Sequence, residues 1–496
     1  PQDGKFGLLE LRDYPESDVI SVSASGLGGG SLIYANVLMP MPAEFFQGWP
    51  GGITREVLDP YYARVLEMLE ASPYPHASDP YYADTPKTTL FQKAAATIRP
   101  APDALEPPTF CYPHLAVRFQ GDFPGQQTRN RQGVWQSRCI KCGECDIGCN
   151  IHAKNTLDLT YLARARRQEL LGPQGIAAEI RTEALVHEIR PLAEGGYAVV
   201  YGNPRQAGDR QTVRAQKVVL AAGSVGSTGL LLRMQRQRIL TNLSPMLGKR
   251  WCANGDLEGT VLGTREEVIP TKGPVITGAI VYRFPDYPDG FPHGLVIQDA
   301  GIPAFLAWFV AAKLPSPAES WRALKLGWRF LKSFLYRLLP LGAQKRELNI
   351  GNRFSEMIDN DDYIRHTFLL LGMGRDRSTG RIELREDGEP VIRWNLEQSR
   401  LHYERVRQEM EKLARALGGT FLDNPLTYLR KIIAVHPLGG CVMADSPEQG
   451  VVNPQGEVFG HPGLYVVDGS IIPTSIGPNP SLTIAALAEY IAERLG

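Results

Sequence analysis

The hydrophobic positions of this chain alternate in some stretches and recur every three to four residues in others. Alternating or short apolar runs predict strands at 19–22, 185–190, 197–201, 217–222, 257–300, 364–395, 432–435 and 464–467. Helical spacing predicts helices at 156–171, 228–237, 304–340, 401–417 and 481–495. A block of antiparallel-type strands therefore stands between shorter strand–turn–helix units, which predicts an α/β plus α+β fold.

Two of these units carry small-residue turns. The strand at 19–22 leads into the Gly-rich turn 25–31, and the strand at 217–222 ends in Gly223-Ser-Val-Gly-Ser227 before a helix. A helix that starts directly after such a turn presents free backbone N–H groups, which bind phosphates and similar groups. The second unit therefore predicts a phosphate or cofactor contact.

The size and charge of the chain narrow the classes of function. Its 496 residues exceed what one hydrophobic core usually fills, so two domains, possibly interleaved, are expected. Lys plus Arg and Asp plus Glu each total 53, so no overall field attracts nucleic acid, and no nucleic-acid partner is expected. The longest apolar run, 304–312, is far shorter than the roughly 18–20 residues that cross a bilayer.

The most specific pattern lies near the C-terminus, in the segments 435–441 (VHPLGGC), 463–470 (GLYVVDGS) and 477–483 (GPNPSLT). Together these resemble the closing section of the glucose-methanol-choline (GMC) oxidoreductases, and of these the cholesterol oxidase-like branch most closely. The resemblance extends in family order through 28–36, 153–155, 221–224 and 251–255, over nearly the whole chain.

The resemblance implies an FAD-binding three-layer α/β domain interleaved with a substrate domain built on an antiparallel sheet. The expected FAD-binding part comprises 1–45, 136–256 and 428–496, and the substrate part comprises 46–135 and 257–427. By the family match His436 and Asn479 are catalytic and face the flavin. The implied flavin contacts are Gly28, Gly29, Gly30, Ser31, Asn36, Gly223, Ser224, Asp468, Gly469, Asn479 and Pro480.

The chain departs from the family at the dinucleotide-binding fingerprint. A strand, a Gly-x-Gly-x-x-Gly turn and a helix hold the pyrophosphate in such proteins, but the nearest segment here, 26–31 (GLGGGS), fails at its last position. The first βαβ unit is thus expected to be absent from this chain and supplied by an N-terminal segment or another chain. The rival hypothesis is an FAD-less, non-enzymatic subunit of a larger complex.

A second departure concerns the proton acceptor on the substrate side. The stretch that matches a Glu of cholesterol oxidases reads Ile297-Gln-Asp-Ala-Gly301. The amide of Gln298 cannot act as a base. Asp299 is an alternative base, although an Asp close to Gly301 is more often a turn residue.

Four of the seven cysteines are crowded into eleven positions: Cys139, Cys142, Cys145 and Cys149. This spacing matches a bacterial ferredoxin ligand set except that Asn150 replaces the usual Pro. It predicts a metal site, with a [4Fe-4S] cluster, zinc or free thiols as the alternatives. An iron–sulfur electron-transfer module is therefore an alternative function. The odd cysteine total favours a reducing compartment.

The segment 320–339 combines Trp and Leu at helical spacing with a neighbouring basic stripe. Such a helix suits an anionic membrane surface, although packing within its own domain is an equal alternative. The N-terminus carries no recognisable targeting signal. The cytoplasm or the cytoplasmic face of the membrane is the favoured location.

The residues and the resemblance together predict FAD-dependent oxidation of an alcohol to a carbonyl. Sterols or long-chain lipid alcohols are the favoured substrates, and the resemblance carries most of that preference. Oxygen, a quinone or an electron-acceptor protein such as a cytochrome takes the electrons, and the sequence does not choose among them.

Overall fold

A computed structural model of the chain describes residues 5–6, 8–171, 175–206, 208–303 and 364–495. Within these ranges the α-helices are α1 (Arg55–Met68), α2 (Pro80–Ala83), α3 (Pro86–Thr97), α4 (Tyr161–Ala165), α5 (Gly223–Arg236), α6 (Arg400–Ala416) and α7 (Ser481–Leu495). The predicted helix 304–340, and with it the basic segment 320–339, lies outside the described residues. No described helix combines the length and the apolar character that a membrane span requires.

The described strands fall into seven sheets. The strands up to residue 137 are β1 (Lys5–Phe6), β2 (Leu9–Asp13), β3 (Val19–Ala24), β4 (Val37–Leu38), β5 (Ser72–Pro73), β6 (Thr109–Cys111), β7 (His114–Leu115), β8 (Gln127–Arg129) and β9 (Trp135–Ser137). Those up to residue 300 are β10 (Leu185–Pro191), β11 (Tyr197–Gly202), β12 (Gln211–Ala215), β13 (Val218–Leu220), β14 (Lys249–Trp251), β15 (Leu257–Leu262), β16 (Ala279–Arg283) and β17 (Gly294–Ala300). The last are β18 (Thr367–Gly374), β19 (Gly380–Leu384), β20 (Pro390–Arg393), β21 (Thr420–Asp423), β22 (Ile432–Ala434) and β23 (Leu464–Val466).

The largest sheet has six antiparallel strands in the order β21-β15-β18-β17-β16-β6. Its alternating apolar residues pack under α6 and α3, with Leu257, Ile297 and Phe368 fully buried in one core. Each strand reads apolar on the covered face because burying that face is the main stabilising term. The sheet confirms the antiparallel strands predicted within 257–300. Of the strands predicted within 364–395 it contains β18, while β19 and β20 pair in a separate sheet with β14.

Two short parallel pairs lie outside this sheet. β22 pairs with β3, and β13 pairs with β23. A second core beside them includes α5, α1 and α7, with Leu231, Leu438 and Leu487 buried. Parallel pairing of strands far apart in sequence requires crossover connections, as in α/β layers. The structure is thus a mixed α/β protein with several sheets, while the predicted domain boundaries stay a prediction.

Two predicted helix boundaries were wrong. The helix expected at 156–171 is reduced to α4 and a short 3₁₀ turn, Gln168–Leu170. The backbone N–H of Leu157 donates to the Ser31 hydroxyl at 3.0 Å, a tertiary bond that fixes a turn there. The helix expected from 228 begins five residues earlier as α5, because the Asp468 carboxylate accepts from the Gly223 N–H and caps the helix.

Candidate active site

His436 lies just beyond β22 and is held by the carboxylate of Asp256. Its Nδ1 is 2.6 Å from Asp256 Oδ1, while Oδ2 accepts from the backbone N–H groups of Val435 and His436 at 2.8 and 2.9 Å. The His436 side chain is 15% exposed and that of Asp256 is fully buried. Both carboxylate oxygens act as acceptors, so Nδ1 carries the proton and Nε2 presents a lone pair. This tautomer can accept a proton at Nε2.

Asn254 holds the loop that delivers Asn479. Its Oδ1 accepts from the N–H groups of Ile476 and Gly477 at 2.8 and 3.1 Å, and its Nδ2 donates to the carbonyl of Pro478 at 3.0 Å. Asn254 is fully buried. A side-chain amide that bonds a loop backbone on both sides fixes the loop in one conformation.

The segment 254–256 therefore reaches both predicted catalytic residues from one short stretch of chain. Asn254 and Gly255 are both in the left-handed region, with φ of 56° and 69°. A Cβ at Gly255 would lie 2.3 Å from His402 Nε2, which donates to the Gly255 carbonyl at 3.0 Å. Only glycine fits there, because both the conformation and the close contact exclude a side chain. Because of this turn, the residue that holds His436 (Asp256) and the residue that holds the loop of Asn479 (Asn254) lie on one short segment.

Asn479 is bonded across to the six-stranded sheet. Gln298 Nε2 donates to Asn479 Oδ1 at 2.7 Å and also contacts the Met39 sulfur at 3.6 Å. With Oδ1 occupied, the Asn479 Nδ2 group remains as the donor. Gln298 itself is fully buried, and its Oε1 has no partner among the described residues.

Asp299 is not available as a base. It is fully buried, forms an ion pair with the equally buried Lys87, and accepts from Thr277 N at 2.8 Å and Gly278 N at 2.7 Å. Both of its carboxylate oxygens accept hydrogen bonds that join α3 to the chain leading into the sheet. The alternative base predicted at Asp299 was therefore wrong, because its carboxylate is an internal structural group.

Asp468 follows β23 and joins it to the start of α5, which follows the paired strand β13. It accepts from Gly223 N at 2.9 Å, Ser227 Oγ at 2.5 Å and Ser470 N at 2.8 Å. Burial raises its pKa, and these donors counteract that effect. Ser224, another of the predicted flavin contacts, donates to the carbonyl of Gly439 at 2.7 Å. These residues fix the backbone at the N-terminus of α5.

Other predicted flavin contacts border open space. A Cβ added at Gly29, Gly30 or Gly223 would meet nothing within 4 Å. Both amide atoms of the fully buried Asn36 lack a nitrogen or oxygen partner among the described residues, although the Cys145 thiol lies close enough for Asn36 to lower its pKa. A buried carboxamide without partners costs about 1–3 kcal/mol, which a polar ligand can offset.

Gly28 and Ser31 form the turn itself, since Ser31 Oγ donates to the Gly28 carbonyl at 2.7 Å. The Gly469 carbonyl accepts from Gly439 N at 3.0 Å, and the Pro480 carbonyl accepts from Ile484 N in α7 at 2.9 Å. The open glycine edge, Asn36 and the α7 N-terminus offer polar groups that would suit FAD. The sequence offers no fingerprint turn for its pyrophosphate.

The four clustered cysteines line an enclosed cavity of about 20 Å³, room for one water molecule. All four are free thiols, and burial raises the pKa of Cys139 and brings that of Cys145 to about 11. Across the ranges that the structure describes, no group of three or more His, Cys, Asp or Glu is placed to hold a metal ion. The residues as placed therefore do not form the predicted [4Fe-4S] or zinc site, because metal ligands must converge on one point.

An acidic group lies behind the Asp256–His436 pair. Burial and the Asp256 charge raise the pKa of Glu258 to about 8, although Asn424 donates to its carboxylate at 3.1 Å. Burial raises the pKa of Asp376 to about 7, and its Oδ2 accepts from Ala253 N at 2.9 Å. Both carboxyls therefore keep their protons to a higher pH than exposed acids do, which reduces the negative charge around Asp256.

We expect Glu258→Gln to remove part of the pH dependence of stability. The folded protein keeps the Glu258 proton up to a pKa of about 8, whereas the unfolded chain loses it near the ordinary value of 4.5. The parent therefore loses stability as pH rises through that window, and the variant has no such proton. Thermal unfolding at about pH 5 and pH 8 should show the variant gaining several degrees relative to the parent at the higher pH.

The exposed Glu411→Gln serves as the control variant, since its side chain is 51% exposed. It should follow the pH dependence of the parent. An equal pH dependence in the parent and in Glu258→Gln would show that Glu258 ionises normally.

The sequence pattern predicted His436 and Asn479 but not the residues that position them. Asn254 and Gly255 stood in a matched segment without a role, and Asp256 follows directly. The Asn-Gly-Asp string was the available signal, because Asn-Gly marks a tight turn and a neighbouring acid can bond a histidine. Gln298 was considered only as a failed base, and its bond to Asn479 was missed.

Residues 376–488 match the family model of the GMC oxidoreductases. A cholesterol oxidase of Acinetobacter baumannii is 26% identical over 98% of this chain and 83% of its own length. A cholesterol oxidase of Mycobacterium tuberculosis is 28% identical over 99% of this chain and 81% of its own length. The crystal structure of pyridoxine 4-oxidase from Mesorbium loti has the same fold, with a TM-score of 0.59 at 15% identity, over 99% of this chain and 89% of that one.

Proposed function

The chain is a GMC oxidoreductase, and from that premise we propose that it oxidises an alcohol to a carbonyl at the site formed by His436, Asn479 and Gln298. Oxidoreductases of this family act on the CH–OH group and depend on FAD. The observation that carries the proposal is the Asp256–His436 pair. A histidine whose Nδ1 proton is fixed by a buried carboxylate presents a base at Nε2.

The protein side of the reaction follows from the hydrogen bonds. The substrate hydroxyl donates its proton to His436 Nε2, while its oxygen accepts from Asn479 Nδ2. Asp256 holds the imidazole in place and stabilises the positive charge that it gains. Bound FAD would supply the acceptor for the hydride that leaves the carbinol carbon. Gln298 keeps the Asn479 amide in its donor orientation.

The FAD would be held by the glycine edge at 28–30, by Asn36 and by the turns at 223–224 and 468–469. The α7 N-terminus would supply N–H groups beside those turns, whereas the first N–H of α5 is already donated to Asp468. We propose on this basis that 1–45, 136–256 and 428–496 form the FAD-binding part in three α/β layers, and that 46–135 and 257–427 form the substrate part.

The substrate class follows from the resemblance and from the surroundings of Gln298. Its cross-strand neighbours are Ala279 and Leu371, and Met39 lies against its amide. An apolar wall around one polar side chain suits an alcohol with a hydrocarbon body. We propose sterols or long-chain lipid alcohols as that class.

An absorption spectrum and anaerobic reduction test the proposal. The protein is purified with FAD supplied, and a panel of sterols and long-chain alcohols is added without oxygen. We expect bound flavin and loss of its visible absorbance with at least one alcohol. If FAD is absent from the protein even after addition, or if no alcohol of the panel reduces it, the proposal is wrong.

The remaining proposals concern the four cysteines, the electron acceptor, the membrane and the location. A metal role for the four cysteines rests on their spacing in the sequence alone, and iron, zinc and acid-labile sulfide analysis tests it. The acceptor of the electrons, the membrane surface as a partner and the cytoplasmic side as the location are proposals from the sequence. Vesicle co-sedimentation tests the membrane proposal.

A further inference from the structure

At the proposed site the Gln298 amide has one hydrogen-bonded atom, Nε2, and one atom without a partner among the described residues, Oε1. Its Nε2 is committed to Asn479 Oδ1 at 2.7 Å and to the Met39 sulfur. Its Oε1 is fully buried and has no partner among the described residues. Its cross-strand neighbours are the apolar residues Ala279 and Leu371.

A buried acceptor without a donor is unfavourable unless a ligand supplies the donor. The reacting hydroxyl has its own partners, since His436 Nε2 accepts its proton and Asn479 Nδ2 donates to its oxygen. Gln298 Oε1 is therefore a second acceptor beside a complete single-alcohol site. Its amide touches Asn479 directly, which places this acceptor next to the reacting carbon rather than at a distant end of the substrate.

From this geometry we infer that the substrate is an alcohol with a second hydroxyl on the carbon next to the reacting one, and that Gln298 Oε1 accepts its proton in a hydrogen bond. The inference rests on the proposed alcohol oxidation and specifies its substrate class as vicinal diols with an apolar body. A second consequence is that the amide of Gln298, as donor to Asn479 Oδ1, is a positioning group for either kind of alcohol.

Three eight-carbon probes separate these roles: 1-octanol, 1,2-octanediol and 1,8-octanediol. The parent should reduce its flavin with 1,2-octanediol at least about 10-fold more efficiently, as kcat/KM, than with 1-octanol. The distant hydroxyl of 1,8-octanediol should give no such advantage. Equal efficiency with 1-octanol and 1,2-octanediol would overturn the inference, as would an equal advantage for 1,8-octanediol.

Two variants distinguish the acceptor from the donor. Gln298→Leu has a similar volume and suits the apolar neighbours, but it loses both groups, so the preference for 1,2-octanediol should fall to about one while both efficiencies decrease. Gln298→Glu keeps an acceptor but loses the donor to Asn479, so both efficiencies should decrease while the preference remains. A preference that survives in Gln298→Leu would show that another group binds the second hydroxyl.

Equilibrium binding gives a readout without turnover. With the flavin reduced beforehand, dialysis should show tighter binding of 1,2-octanediol than of 1-octanol to the parent, and equal binding of the two by Gln298→Leu. If none of the three probes and no other alcohol reduces the flavin, the proposed function itself has failed. If 1-octanol and 1,2-octanediol reduce it equally well, only the diol inference has failed.

Discussion

His436→Ala should retain flavin and fold but lose alcohol-dependent flavin reduction by about 10² to 10⁴, the usual contribution of a general base. The substitution removes Nε2, the one proton acceptor that the Asp256 pair prepares. The His436 backbone N–H still donates to Asp256 Oδ2, so the local chain path is kept. Rapid mixing under anaerobic conditions measures this half-reaction independently of the electron acceptor.

His187→Ala is a matched control, because His187 is partly buried on β10, in a three-stranded sheet that shares no strand with the six-stranded one. Its rate of flavin reduction should equal that of the parent. A His436→Ala protein that retains its flavin and reduces it at the parental rate would place the base on another residue. Asp299 would not be the next candidate, since its carboxylate is paired with Lys87.

Local sequence patterns predicted most strands, because burying one face of a strand makes apolar residues alternate along the sequence. The final helix was predicted at its observed bounds, since Pro480 precedes an apolar face that continues to Leu495. The helix at 156–171 failed for the opposite reason. Its turn is fixed by the Ser31 hydroxyl, 126 residues away, and no local pattern contains that bond.

The site shows the same division between local and distant information. His436 and Asn479 were found because each stands in a specific short motif. Their partners Asp256 and Gln298 lie 180 and 181 residues away in the chain, so only the fold brings them into contact. The cysteine spacing was a local signal of similar strength, but spacing does not make four sulfurs converge. The placement of Cys139 to Cys149 around a one-water cavity shows this limit.

Asp256→Asn should slow alcohol-dependent flavin reduction by about 10²-fold or more, because it changes the tautomer of His436. Asp256 Oδ2 accepts two backbone N–H groups, so the oxygen of an asparagine would take that place. Its NH₂ group would then face His436 Nδ1, which must become an acceptor. The imidazole proton moves to Nε2, and the base facing the substrate is lost although the ring stays in place.

Nitrogen NMR of the labelled protein reads the tautomer directly and separates this explanation from simple unfolding. The parent should show a protonated Nδ1 for His436, and Asp256→Asn a protonated Nε2. Asp256→Glu keeps the negative charge and should recover part of the rate if its longer side chain reaches Nδ1. A loss of rate in Asp256→Asn with His436 still protonated at Nδ1 would contradict the mechanism, because Asp256 would then act by charge alone and not by fixing the proton.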